Sequence, residues 1–271
     1  MAEIIARGVR FHVQQLAPRQ RPSQPKHPVV FIHGLGVDNL SSFYYTLANP
    51  VAHAGAEVIL YDLRGHGLSE RPPTGYRVSD SIADLAAILD TLGVDGPVHL
   101  VGNSYGGTIA LGFAVGYPER VASMVLIEAH VPVPGWPAQM AATIRNYGSD
   151  LAKSDSGRWM WIAQEGRKLA RRSLLEKALI HHTTLITDVQ TTEPLAEGAL
   201  RALTCPVHAV YGEHSDILHH AHVLDDLLSL YTLTVLPNLN HSVLPKATRV
   251  LRAIVLEWFA AEATTPQAGF R

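Results

Sequence analysis

Short apolar runs and amphipathic stretches alternate along most of this chain. Residues 29–32 (Val29, Val30, Phe31, Ile32), 58–61, 98–101, 125–127, 207–211 and 233–236 are nearly continuous in apolar side chains. Runs of that length and composition predict strands buried on both faces of a parallel sheet. Val9, Phe11 and Val13 alternate with polar neighbours, which predicts a half-buried strand near the start. Between the runs, Ile82, Leu85, Leu89 and Leu92 share one face of a helix over about 79–92. Ser79 or Asp80 is placed to cap its start and Gly93 to end it. Leu251, Ile254, Val255 and Trp258 mark a closing helix. Strand and helix in repetition predict an α/β fold, an open and mostly parallel, doubly wound sheet with helices on both faces.

The alternation lapses after residue 130. The proline-rich run 131–137 stops it, and helix-compatible segments bearing Trp159, Trp161, Arg167, Arg171 and Arg172 follow. The expected organisation is a core of residues 1–130 and 204–271, with residues 131–203 inserted as a helical cap. A second irregular stretch, 17–26, holds three prolines and three cations and is expected to be an exposed loop.

Composition narrows the functional classes. Apolar residues make up 47% and charged residues 17%, values of a globular protein rather than a disordered one. A formal net charge of −2 gives no basic face for nucleic acid. Cys205 is the one cysteine, so no internal disulfide forms, and its place at the head of an apolar run marks it as a buried strand residue. The N-terminus has no basic leader with an apolar stretch behind it, and no apolar run reaches membrane length. These features predict a soluble, cytoplasmic protein with a small-molecule substrate and neither nucleic-acid nor membrane partners. They leave oligomeric state open.

The chemistry gathers around Gly102-Asn103-Ser104-Tyr105-Gly106, a G-x-S-x-G run set between an apolar strand and a helix-compatible segment. A strand turning directly into a helix lifts the serine hydroxyl above the sheet edge, and glycines on either side permit the close approach. Ser104 is thereby the expected nucleophile. A serine hydroxyl needs a base, and the base needs an orienting acid. His241, in the loop after the last strand, is the expected base; among 15 histidines, position alone selects it. Asp216, in the loop after the preceding strand, is the expected acid, with Glu213 as its rival. Two backbone N–H groups must hold the oxyanion. Tyr105 and Leu35, the latter in His33-Gly34-Leu35-Gly36, are the expected donors, while His33 is expected to hold that loop by hydrogen bonding. The histidines His219, His220 and His222, and the pair His181 and His182, lack the spacing of a zinc site, so no metal is expected.

Four landmarks in order, 33–36, Asp62-Leu63-Arg64-Gly65-His66-Gly67-Leu68-Ser69, 102–107 and His241, identify the chain as a member of the α/β-hydrolase superfamily. The resemblance runs over nearly the whole chain and weakens in the cap. It implies a triad of Ser104, His241 and Asp216 working without metal or cofactor. Two departures stand out. Asp216 lies four residues after Gly212 instead of three, and Asn240 replaces the glycine usual before the base, Asn being the residue best able to take a left-handed bend in its place. The expected reaction is hydrolysis of a carboxylic ester or thioester. Two alternatives are C–C bond hydrolysis of a vinylogous diketone, whose enzymes usually follow the base with tryptophan where Ser242 stands here, and a slow-turnover small-molecule receptor of the same fold.

Overall fold

Eight strands form one sheet in the order β1-β2-β4-β3-β5-β6-β7-β8. The computed structural model describes residues 2–19, 27–36, 38–153 and 177–262. The strands are β1 (Ala2–Ala6), β2 (Val9–Leu16), β3 (Val29–Ile32), β4 (Val58–Tyr61), β5 (Val98–Asn103), β6 (Val121–Ile127), β7 (Val207–Gly212) and β8 (Tyr231–Leu236). β1 and β2 pair antiparallel, as do β2 and β4, and every later pairing is parallel. The mostly parallel, helix-covered sheet expected from the pattern is the one observed. The hairpin strand β1 and the first four residues of β6 escaped that pattern, because Ile4 and Ile5 stand alone and Ser123 interrupts the second run.

Period-two geometry divides the strands between two cores. On β3, Val30 and Ile32 face one cluster, and Val29 and Phe31 face the other. The first cluster is closed by α2 (Val78–Thr91), through Leu85, Ile88 and Leu89, and by α3 (Tyr105–Gly116), through Ile109 and Phe113. The second takes Phe43, Leu47 and Val51 from a helical segment α1, residues 41–53. α9 (Thr248–Glu262) supplies Leu251, Val255 and Phe259 to the same cluster. Each such side chain, fully buried, contributes about 1.5–3 kcal/mol. Helix α3 is apolar on all sides and buried from Tyr105 to Ala114, because it is wedged between the sheet and α2.

Local chemistry explains the element ends. At the start of α2 the Asp80 side chain accepts from the Arg77 N–H at 3.2 Å, three residues back. Gly93 follows the helix with φ +70, the left-handed turn that glycine adopts without strain. Within α1 the stretch Tyr44–Ala48 winds as a π-helix. Pro50 has no N–H for the carbonyl of Thr46, and Arg252 Nε donates to that carbonyl instead, at 3.2 Å.

Between β6 and β7 the described elements are helices alone: α4 (Trp136–Lys153), α5 (Leu185–Gln190) and α6 (Glu197–Arg201). Trp159, Trp161, Arg167, Arg171 and Arg172 lie outside the described residues, as does the segment 20–26 of the proline-rich loop. Two short helices, α7 (His219–Leu227) and α8 (Val243–Lys246), complete the fold. No described helix is long and apolar enough to cross a membrane.

Candidate active site

The end of β5 sets the centre. Ser104 takes φ 52 and ψ −115, a region costly for a residue with a side chain, of order 1–3 kcal/mol. Its N–H donates to the Ile127 carbonyl at 2.8 Å, which anchors the bend to β6. A Cβ on Gly102 would stand 2.6 Å from the Gly106 carbonyl oxygen, and one on Gly106 would stand 2.0 Å from that of Ile32. Both positions therefore demand glycine, and the strand can enter the helix with Ser104 at the crest.

His241, in the loop after β8, brings Nε2 to 3.2 Å from Ser104 Oγ. The left-handed residue of that loop is Asn238, at φ 57, and Asn240 is not among the residues with positive φ. The bend expected at Asn240, just before the base, is thus made two residues earlier, at Asn238. The His241 Nδ1 lies 2.8 Å from a carboxylate, but not the expected one. The partner is Glu128 Oε2.

Glu128 follows the last residue of β6, wholly buried, with φ 49. Three donors converge on it. Gly212 N–H donates to Oε1 at 2.6 Å, while Ser215 Oγ at 2.5 Å and His241 Nδ1 meet Oε2. A buried carboxylate is tolerable only with such partners. Asp216, expected as the acid, is exposed, and so is its rival Glu213, whose Oε2 accepts from the Asn238 N–H. The physical reason is the shape of the loop after β7. It wraps the carboxylate of the neighbouring strand with Gly212 N–H and the Ser215 hydroxyl and points Asp216 outward. The close wrap again needs a glycine, since a Cβ on Gly212 would stand 2.3 Å from the Leu239 carbonyl oxygen. A signal in the sequence could have found Glu128: it is a lone acid that ends the buried apolar run 124–127.

Two loops frame the mouth above Ser104. In the first, Gly34 N–H donates to Asp38 Oδ2 at 2.7 Å, and Gly36 N–H donates to His66 Nε2 at 3.1 Å. The Leu35 amide lies between these two tied amides. Neither the Leu35 nor the Tyr105 N–H, the two donors expected from the sequence, has an acceptor among the described residues. Asn103 Nδ2 reaches Asp38 Oδ2 at 3.4 Å and links this loop to the serine bend. Burial pushes the Asp38 carboxyl up, but the His33 ring and donors from Ser42, Gly34 and Asn39 outweigh it and hold the group below its ordinary value.

His33 and His66 clamp this first loop to the second, residues 62–69. His33 Nδ1 donates to the Gly34 carbonyl at 2.6 Å, and its Nε2 accepts from Leu63 N–H at 2.9 Å. The loop-holding role expected for His33 is the one its contacts describe. His66 Nδ1 donates to the Arg64 carbonyl at 2.9 Å, and its Nε2 accepts from Gly36 N–H. The partners of each ring, one acceptor at Nδ1 and one donor at Nε2, place the proton on Nδ1. Burial, helped by the nearby His33, pushes the His66 pKa down to about 3 and keeps that tautomer at working pH.

Beyond His241 lies a wall of rings. The His130 centroid is 5.6 Å from that of His241, 5.6 Å from His220 and 6.3 Å from Trp136, and His219 lies 4.3 Å from His220. Among the described residues no group of three or more His, Cys, Asp or Glu side chains is arranged to hold a metal ion. Cys205 is buried just before β7, and burial pushes its thiol up to about 11.

With this geometry in hand, comparisons with known proteins are informative. A family model described as the alpha/beta hydrolase fold matches residues 27–158. The chain is similar to the 2-hydroxy-6-oxo-2,4-heptadienoate hydrolase of Pseudomonas putida, 39% identical over 104 residues, 38% of this chain and 37% of that one. It thus matches little more than a third of that relative's length. It is also similar to the non-heme chloroperoxidase of Streptomyces lividans, 27% identical over 258 residues, 84% of this chain and 90% of that one. Among solved structures, the enol-lactonase from Burkholderia xenovorans superposes with a TM-score of 0.72 at 18% identity, covering 96% of this chain and 100% of the other.

Proposed function

The chain has the α/β-hydrolase fold, and on that premise we propose that it hydrolyses a carboxylic ester or thioester through a triad of Ser104, His241 and Glu128. One observation carries the reading: the His241 ring bridges Ser104 Oγ, at 3.2 Å, and the buried Glu128 carboxylate, at 2.8 Å. The Glu128 contact holds the proton on Nδ1 and leaves Nε2 as the acceptor. Ser104 Oγ attacks the substrate carbonyl while Nε2 takes its proton. The oxyanion settles on the Leu35 and Tyr105 N–H groups, at the start of helix α3, where the helix dipole adds to the field. The imidazolium then protonates the leaving oxygen or sulfur, and the acyl group stays on Ser104. Water, deprotonated by the same Nε2, releases the acid. Helices α4 to α6, in residues 131–203, supply the lid that sets which acyl group enters.

Steady-state turnover of p-nitrophenyl butyrate and a short acyl thioester tests the proposal. Ser104→Ala and His241→Ala should fold and lose turnover. Failure of every ester and thioester to support more than one turnover would leave the receptor reading standing. The similarity to a 2-hydroxy-6-oxo-2,4-heptadienoate hydrolase favours one second reading, C–C hydrolysis of a vinylogous diketone by the same nucleophile. A higher kcat/KM for such a diketone than for any ester would select it.

A further inference from the structure

Two polar atoms, each on a ring one removed from the proposed base, are buried without a partner among the described residues. Among the described residues, Trp136 Nε1 and His220 Nδ1 have no hydrogen-bond partner, and each residue is only 2% exposed. Leaving such an atom unpaired costs about 1–3 kcal/mol, so each calls for an explanation. Both residues flank one ring, that of His130, and His130 lies against His241. Their positions in the chain are independent: Trp136 opens α4, His220 is in the first turn of α7, and His130 lies two residues after Glu128.

We propose that Trp136, His220 and His130 form a polar subsite for a second oxygen function, a ketone, enol or hydroxyl, on the leaving fragment of the substrate. The inference rests on the hydrolase reading, because that reading fixes which side of the substrate the subsite meets. The atom that leaves must come within hydrogen-bond reach of His241 Nε2 to be protonated. His130, packed against His241, and the two residues that flank it therefore stand on the side of the leaving fragment. The indole N–H can only donate, so it requires an oxygen acceptor. A neutral imidazole offers a donor or an acceptor and suits a ketone, an enol or a hydroxyl equally. The charge state narrows the class further. Burial, reinforced by neighbouring histidines, pushes His130 down to about 3 and His220 down to about 4. At neutral pH the His130 and His220 rings are uncharged and offer hydrogen bonds with no counter-charge, which fits an uncharged oxygen better than a carboxylate.

The test uses phenols as leaving-fragment probes and the Ser104→Ala protein, so that binding is read without turnover. 3-Acetylphenol carries the second oxygen, and 3-chlorophenol, of similar acidity and size, does not. The expected result is an affinity about threefold to tenfold higher for 3-acetylphenol. That preference should fall to about onefold when Trp136→Phe or His220→Phe is added, and His220→Gln should retain part of it. The Trp136 indole N–H resonance, followed in the Ser104→Ala protein itself, should move with 3-acetylphenol and stay in place with 3-chlorophenol. This readout stands even if an added substitution impairs folding. Equal affinities together with an unmoved indole resonance would overturn the subsite. Turnover of 3-chlorophenyl butyrate by the unsubstituted enzyme, and its loss in Ser104→Ala, tests the hydrolase reading separately, so either idea can fail alone.

Discussion

Replacing Glu128 by glutamine separates the two candidate acids, and the contacts of the carboxylate set the size of the effect. Gly212 N–H, Ser215 Oγ and His241 Nδ1 all meet it, at 2.6, 2.5 and 2.8 Å. An amide has one oxygen for these three. If that oxygen stays on Gly212, the NH2 faces Ser215 and His241. The serine hydroxyl can rotate to accept, but His241 can do so only by giving up its Nδ1 proton. The proton then sits on Nε2 and the ring no longer accepts from Ser104. The opposite amide orientation sets NH2 against the Gly212 N–H, which cannot rotate, at a cost of about 1–3 kcal/mol. The first orientation wins, and the ring holds the wrong tautomer. Loss of the orienting acid in this way lowers kcat by about 10⁴, or about 5 kcal/mol of activation free energy. Asp216→Asn alters an exposed side chain and should stay within about twofold. The assay is kcat/KM for p-nitrophenyl butyrate at pH 8, with near-ultraviolet circular dichroism as the check on folding. The reasoning is refuted if Asp216→Asn proves the more damaging change, or if folded Glu128→Gln keeps more than a tenth of the activity.

Three further outcomes follow from the same geometry. His66→Gln can restore an acceptor to Gly36 N–H where His66→Asn and His66→Ala cannot, so kcat should fall about tenfold less for Gln than for Ala while KM moves little. The unfolded chain protonates His66 near pH 6.5, but the folded chain holds it down to about 3, so stability is complete above pH 6.5 and falls as pH drops through that window. Chemical denaturation between pH 6 and 4 should show a slope shallower by up to about 1.4 kcal/mol per pH unit in His66→Gln. Lastly, Gly106→Ala drives a methyl to within 2.0 Å of the Ile32 carbonyl and should cost several kcal/mol, whereas Gly116→Ala, with nothing within 4 Å, should stabilise by about 0.5–1 kcal/mol in thermal melts.

What the sequence conveyed and what it withheld divide along physical lines. The positions of the proposed nucleophile and base were legible because each sits at a strand end that the apolar pattern locates, and because the glycines at 102 and 106 answer to local clashes. Tyr105 and Leu35, the proposed oxyanion donors, are neighbours of those same bends. The acid was not, because its identity is decided across three strands. Whether the carboxylate at the end of β6 or the one in the loop after β7 faces His241 depends on how the loop after β7 folds back, and no periodicity reports that. Burial supplied the missing criterion, since Glu128 is an acid with no exposed surface and Asp216 is exposed. The wall of His130, His220 and Trp136 was hidden for the same reason, being assembled from three distant segments.

The short segment from Glu128 to Trp136 has one more consequence, for modular exchange. It runs from the proposed acid to helix α4, and four of its residues are tied down, three to the sheet and helix α3 and one to Leu195. Val210 accepts from Glu128 N–H, Tyr211 Oη donates to the Ala129 carbonyl, Thr108 Oγ1 to that of His130, and Leu195 N–H to that of Pro132. A transplanted lid spliced at residue 128 would replace that tied track and displace the carboxylate with it. One joined after Val133 and before Leu195 would keep all four ties. Recombination between relatives is therefore constrained at its upstream seam to a few residues, and shuffled libraries should recover active chimeras with crossovers on the lid side of Pro132 far more often than at the strand end.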